Sequence, residues 1–530
     1  MMTTREKVRI LDTSARIAAL MFLFIAAVSA VVTVACAPIR PPAVVTPDAA
    51  HLEAAGDDCA ALWQDELGRP IDVLALADCR SAVAEGRRTI EDFRVQLRAS
   101  GEYADYQARL EAERRPVARR GVVGRAGRTF VDADGPWLAV GTTCFWCGWG
   151  YLHERERLEA NLAALAGRVD YVRALAVVGP RGGWEDRTVS AADVFGSDVI
   201  AGTTDAAYAH GLRVQWTIFG GLDSTPTPEA RRQLVHRVVE QLASRREKVQ
   251  LVEVANEGWQ NGFDGEEGRQ ELIALGNLVR AALPGVPVAL TAPNTVEVRD
   301  YYEGSSATVA TVHTERNVTG TGGMFRPVRQ AREYVGLTWI NNEPIGPQSS
   351  VAADDDPDRL ALAAAYTWLC NGAAYVYHTG AGIRGGGAAD RARGRSANFA
   401  EVPHFDATLE RLAALREILP PDLPNWTWQN SNSRFPAYLF ATPYEDEGGT
   451  HIVAPEDELL RAFAAYAADG RFVVIPIAVT RPVPFTAKRS IAFAVHDVRN
   501  LRAATAVTLS AGETFTLQPT PGAVFVGRFR

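Results

Sequence analysis

The chain has 530 residues, 47% of them hydrophobic and 22% charged, which is the balance of an ordinary globular protein, and its formal net charge is -8. That length accommodates a barrel of roughly 250 residues with at least one further domain, and it excludes a single small module. An acidic balance argues against a nucleic-acid surface, which needs a local excess of Lys and Arg, so no nucleic acid is expected as a partner.

At the start, Arg5, Lys7, Arg9 and Arg16 precede the apolar run from Ile17 to Ala35, which ends at Cys36 and a Pro-rich stretch. This is the pattern of an export segment. Thr33-Val-Ala-Cys36 resembles a lipobox, in which cleavage before Cys36 leaves a lipidated cysteine, with Thr33 standing where an aliphatic residue is usual. An uncleaved membrane anchor is the competing reading, since the run approaches the roughly 20 apolar residues that span a bilayer. Both readings place the body of the protein outside the cytoplasm, on the bacterial cell envelope. There the cysteines are first read as bridges. Cys59 and Cys79 form a natural pair, Cys144 and Cys147 read as packing residues or a local bridge, and Cys370 reads as a buried free thiol.

The expected organisation is a signal peptide or anchor over 1–36, a Pro-rich linker over 37–57, a small helical module over 58–115, and a basic linker with a hairpin over 116–136. A barrel over 137–421 and a β-sandwich over 422–530 complete it. The helical module, with Leu67-Gly-Arg69 and Ser100-Gly-Glu-Tyr103, resembles a small helical module of unknown function found attached to secreted bacterial proteins, and its expected role here is attachment or spacing. Arg114, Arg115, Arg119, Arg120, Arg125 and Arg128 read as a solvated linker face, with contact to anionic headgroups or an acidic glycan as the alternative.

From Trp137 to Leu419, strand-like and helix-like patterns alternate, which predicts a (β/α)8 barrel, an α/β fold. The strands are expected at Trp137–Thr142, Tyr171–Val178, Leu212–Phe219, Val249–Ala255, Pro287–Asn294, Thr308–His313, Leu337–Asn342 and Ala374–His378. Thr227 before Pro228, and Asp356 before Pro357, mark helix starts. The Gly-rich stretch Gly380 to Gly387 reads as a mobile flap over the cleft. Beyond Trp426, short alternating runs predict the antiparallel sandwich, read as a brace for the barrel.

Two strands stop at carboxylates. Val249-Gln-Leu-Val-Glu-Val-Ala-Asn-Glu257 is an apolar run ending in Asn256-Glu257, and Leu337-Thr-Trp-Ile-Asn-Asn-Glu343 ends in the same way. Paired carboxylates at strand ends suit glycoside hydrolysis, in which one acid protonates the leaving oxygen and the other attacks the anomeric centre. With these motifs the chain resembles the clan A glycoside hydrolases, the barrel group that includes cellulases, β-mannanases and β-xylosidases. It departs from the usual strand-four pattern at Ala255 and Gly258.

The resemblance implies that Glu257 is the acid/base and Glu343 the nucleophile of a retaining β-glycosidase. It further implies that Asn256 binds the sugar hydroxyl beside the anomeric carbon, that Arg173 supports the nucleophile, and that His313 contacts it. Trp146, Trp149 and Trp259 are candidate platforms under sugar rings, and Tyr377 is a candidate substrate contact. Glu315 stands as a rival carboxylate. No metal or other cofactor is expected, because the nine histidines show no ligand spacing. The competing class is a non-catalytic carbohydrate-binding or scaffolding surface lipoprotein on a decayed hydrolase barrel.

Overall fold

The computed structural model describes residues 49–67, 69–104, 119–221, 225–291, 298–314, 316, 327–328, 331–332, 336–429, 440–441 and 461–529. The chain forms two compact units, 1–114 and 115–530. The export segment and Cys36 lie outside the described residues, as do Arg114, Arg115 and Glu315. No helix among the described residues is long and apolar enough to cross a membrane.

The first unit packs the helices Ala49–Leu67, Val73–Ala84 and Ile90–Arg98 around Leu62, Trp63, Phe93 and Leu97. Its helix starts are written in the sequence: Asp72 caps the second helix, and Thr89 with Asp92 forms a capping box on the third. A Cys59–Cys79 disulfide ties the first two helices together. The two short motifs of this unit meet, with Arg69 Nε donating to Glu102 Oε1 at 2.6 Å.

The second unit opens on a three-stranded meander, β1 (Gly124–Ala126), β2 (Thr129–Asp132) and β3 (Gly135–Trp137). Eight parallel strands follow: β4 (Ala139–Thr143), β5 (Tyr171–Val177), β6 (Arg213–Phe219), β7 (Val249–Ala255), β8 (Val288–Thr291), β9 (Val309–Val312), β10 (Thr338–Asn341) and β11 (Gly372–Tyr377). Their order in the sheet is β8-β7-β6-β5-β4-β11-β10-β9. The ends β8 and β9 meet where Thr308 N–H donates to Val288 O at 2.9 Å, closing the ring. The hydroxyl of Tyr302 staples the same seam. It donates to Thr291 O at 2.7 Å and accepts from the N–H groups of Leu290 and Thr311, both at 3.2 Å. Burial pushes that phenol up to about 12, so it keeps its proton.

Both faces of the strands are covered, which is why their sequences run almost continuously apolar. Outside lie helices with apolar stripes at helical spacing: Leu158, Leu162 and Leu165 on Arg155–Leu165, Leu234, Val238 and Leu242 on Pro228–Leu242, and Leu272, Leu275 and Val279 on Gly265–Ala282. Thr227 caps its helix by accepting from Ala230 N–H, and Asp356 caps Pro357–Leu369 by accepting from Asp358 and Arg359.

Two expectations are corrected here. Trp137 belongs to the meander, not to the first barrel strand: it pairs with Phe130 across β2 and β3 while Arg119 covers its ring. The basic run is likewise no solvated linker in its described part. Arg119 forms a two-pronged pair with Asp132, Arg120 pairs with Asp134, and Arg125 and Arg128 donate to Thr338 Oγ1 and Leu337 O at the start of β10. The acids that pair with Arg119 and Arg120 sit in the hairpin that follows, and the meander lies against the N-terminal end of the barrel.

After the helix Phe405–Ile418 the chain forms β12 (Thr427–Gln429), β13 (Phe440–Ala441), β14 (Arg461–Tyr466), β15 (Arg471–Val479), β16 (Val483–Ala487), β17 (Ile491–Asp497), β18 (Asn500–Leu509), β19 (Thr514–Leu517) and β20 (Thr520–Phe529). A six-stranded sheet, β12-β14-β15-β20-β17-β18, faces a three-stranded one, β13-β16-β19, with Phe485 against Phe525 between them. The larger sheet also meets the barrel helices. Gly522 leaves room for Leu362, and Arg502 pairs with Glu410 and Glu417.

Candidate active site

The strand alternation decides what β7 presents to the barrel interior. Glu253 points inward and is wholly buried, accepting from Thr217 Oγ1 and Thr311 Oγ1 at 2.5 Å each and from Arg173 Nη2 at 3.0 Å. Arg173, on β5 and equally buried, is the hub. Besides Glu253 it donates from Nη1 to Glu343 Oε1 at 2.5 Å and from Nη2 to Asn256 Oδ1 at 2.8 Å. Burial works against its charge, but the flanking carboxylates of Glu253 and Glu343 outweigh that and raise its pKa.

Glu343 follows β10 and is nearly buried. Burial alone would raise its pKa, yet His313, Arg173 and Arg316 hold it well below the usual carboxylate range. The group is therefore an anion at neutral pH. Both of its oxygens face cationic or imidazole nitrogens: Oε1 lies 3.2 Å from His313 Nε2, and Oε2 lies 3.4 Å from Arg316 Nη2.

Glu257 stands where β7 has ended. Its backbone is left-handed, at φ 40° and ψ 59°, an uncommon conformation for a residue with a side chain. The turn is held by Gly258 N–H donating to Thr291 Oγ1 at 2.7 Å and by Gln260 N–H donating to Glu257 O at 2.9 Å. It swings the carboxylate back over the barrel mouth. Its Oε1 sits 2.9 Å from His313 Nδ1, and its Oε2 accepts from the Gln260 amide.

His313 thus bridges the two acids. Glu257, His313 and Glu343 each place a donor atom within 4.8 Å of the others. That trio has the chemistry of a cation site, but Arg173 and Arg316 already face both oxygens of Glu343, and a divalent ion there would be repelled by them. The arrangement instead holds one ionised carboxylate beside a more accessible one, with the His313 imidazole between them, hydrogen-bonded to Glu257 through Nδ1 and 3.2 Å from Glu343 through Nε2.

Asn256 spends its amide oxygen on Arg173, which turns its NH2 group toward a cavity of about 360 Å³ that it lines together with Glu257. This volume is in the range of small-molecule sites. Of the other expected residues, Arg173 and His313 join the acids directly. Trp259 follows Glu257 in the short turn Gly258–Gln260 and is 48% exposed.

Three expected contacts are corrected. Trp146 is wholly buried, donates from Nε1 to Ala381 O, and lies under the Arg157 guanidinium, because the Cys144–Cys147 disulfide folds this segment against the barrel wall. Trp149 is covered by the Arg187 guanidinium, 3.8 Å from its ring centroid, and does not line the cavity. Tyr377 points outward onto Phe405, since on β11 it is Ala374 and Val376 that belong to the barrel-interior cluster. The same alternation carries the next residue, His378, inward. It bonds to Thr143 Oγ1 through Nδ1 at 2.8 Å, and burial pushes it down to about 3, so it is neutral. His378 and Arg316 are site residues that the sequence reading missed.

The Gly-rich stretch is also corrected. It forms the short helices Gly380–Arg384 and Ala388–Ala392, with Gly380 to Ile383 buried. The carboxylate of Asp390 fastens it by accepting from the backbone N–H groups of Arg384 and Gly386. The stretch contributes Arg384 to the lining of the cavity.

No family model matches this chain, and no curated protein does. Solved structures do. A glycoside hydrolase family 5 protein from Bacteroides vulgatus aligns over 77% of this chain and 94% of its own, at 12% identity and a TM-score of 0.56. A second structure, described as a glycoside hydrolase, aligns over 77% of this chain and 97% of its own, at 11% identity and a TM-score of 0.53. This chain shares their fold. At such identities the likeness extends to the (β/α)8 barrel and leaves the chemistry to the residues themselves.

Proposed function

We propose that the protein is a retaining glycoside hydrolase acting on a β-linked glycan. The observation that carries this reading is that one carboxylate oxygen of Glu257 lies within 4.8 Å of one of Glu343. Retaining enzymes hold their two carboxyl groups about 5–5.5 Å apart, whereas inverting ones leave roughly 6.5–9.5 Å for a water molecule. In this mechanism Glu343, kept ionised by His313 and Arg173, attacks the anomeric carbon. Glu257, the more accessible acid, gives its proton to the departing glycosidic oxygen. A covalent glycosyl-enzyme forms, and Glu257 then takes a proton from water as that water releases the sugar. The Asn256 NH2 group donates to the neighbouring hydroxyl. Two hydrolase barrels of the same architecture support this reading as neighbours in fold.

On its leader sequence, we place the protein outside the cytoplasm, held at the cell envelope by a lipidated Cys36 or by an uncleaved anchor. The test of the activity is a reducing-sugar screen across β-glucans, mannans, xylans and host-type glycans, followed by NMR of the first product anomer. Glu343→Gln abolishes turnover with the fold intact, and the β-anomer appears first. Retained activity in that variant, or initial release of the α-anomer, sinks the assignment.

A further inference from the structure

The cavity beside Glu257 is not lined as a neutral sugar would require. Hydroxyl groups both give and accept hydrogen bonds, and the amides of Asn256, Gln260 and Asn261 in the cavity lining answer both needs. The same lining includes Arg181 and Arg384, guanidinium groups that only donate.

Arg384 is the informative residue. Its side chain is only 12% exposed, and its buried Nε has no hydrogen-bond partner. One terminal nitrogen donates to Gly182 O. The other lies 3.7 Å from Asp390 Oδ1, but that oxygen accepts from Arg395 at 3.0 Å, and the second oxygen of Asp390 is taken by two backbone N–H groups. One carboxylate is therefore shared between two guanidinium groups. The Trp184 ring, 5.3 Å from the guanidinium carbon, fixes the orientation of Arg384 at the cavity wall. A desolvated cation that is only partly neutralised is costly to keep, and an anionic ligand would complete its pairing.

Resting on the reading of this site as a glycan-cleaving cleft, we propose that the substrate carries an anionic group, a carboxylate or a sulfate ester, on a sugar ring seated in this cavity. Arg384 binds that group with Arg181 beside it. A uronate offers a planar pair of oxygens suited to the guanidinium fork, and a sulfate offers three.

The experiment uses the full chain and matched β-linked oligosaccharides in gluco, manno, galacto and xylo configuration, each in neutral, uronate-bearing and sulfated form. Binding is measured by calorimetry and cleavage by product analysis. Anionic members bind about 10- to 100-fold more tightly than their neutral counterparts, the expected value of one or two charge-assisted hydrogen bonds. Rising salt shrinks that margin. Arg384→Gln lowers anionic affinity by more than it lowers neutral affinity, so the margin shrinks towards one, and Arg384→Lys restores part of it. Arg181→Gln, at an exposed position, lowers the margin without disturbing the fold should the Arg384 variants fail to fold. The carboxylate and sulfate series distinguish the two anions. Equal binding of neutral and anionic chains that are cleaved overturns this inference and leaves the hydrolase reading intact. Anionic binding without cleavage overturns the hydrolase reading alone, and an absence of both binding and cleavage overturns the two together.

Discussion

Replacing Arg173 by Met removes one guanidinium from three acceptors at once: Glu343 at 2.5 Å, Asn256 at 2.8 Å and Glu253 at 3.0 Å. All of this happens where Arg173 and Glu253 are fully buried. Breaking a buried ion pair by deleting one partner costs about 3–5 kcal/mol, because the charge left behind is neither solvated nor neutralised. Against a typical domain stability of about 5–15 kcal/mol, the variant is folded but weakened. The cost has a definite pH sign. Glu343 has a pKa depressed by folding, so its contribution to stability is present above the unfolded carboxylate value and is lost as pH falls through the folded one. Without Arg173, burial pulls Glu343 upward, that contribution shrinks, and the acid limb of the activity profile moves to higher pH. Urea unfolding at several pH values and kcat/KM against pH measure both effects. A variant whose midpoint and acid limb coincide with those of the wild type refutes the proposition that Arg173 keeps Glu343 charged.

Thr291→Val leaves the Gly258 N–H without its partner. A buried unsatisfied donor costs about 1–3 kcal/mol, so kcat is expected to fall about 10-fold as the Glu257 turn loosens. Steady-state kinetics beside a thermal melt check this. Gly141→Ala places a methyl group 2.4 Å from the Tyr171 ring inside the barrel; overpacking of this kind costs about 1–3 kcal/mol and is read from the urea midpoint. Cys36→Ser moves the protein from the membrane fraction to the soluble one if lipidation is its anchor, and fractionation of expressing cells decides between the two leader readings.

The strand ends were the most legible part of the chain. An apolar β-branched run that stops at an acid and then at glycine or proline is a local pattern, and Glu257 and Glu343 both carry it. What escaped notice lay in contacts between distant segments. Trp146 looked like a cleft aromatic because nothing in its neighbourhood announces that a disulfide and Ala381 will enclose it. The glycines of 380–387 suggested motion, while the residue that immobilises them, Asp390, comes just after the run. On β11, counting by twos from Ala374 and Val376 reaches His378 rather than Tyr377, so strand alternation alone identifies the inward residue. The basic run was misread for a related reason: its counter-ions, Asp132 and Asp134, follow in the hairpin that the same stretch builds.

The seam between β8 and β9 lies between the two acids in the ring: Glu257 follows β7 on one side, and Glu343 follows β10 on the other. The separation of the two acids therefore spans a joint held by one backbone hydrogen bond, Thr308 N–H to Val288 O, and by the Tyr302 phenol. Tyr302→Phe keeps every charged group and removes only this fastening, so the amides of Leu290 and Thr311, which donate to the phenol oxygen, are expected to exchange early while the rest of the ring stays protected.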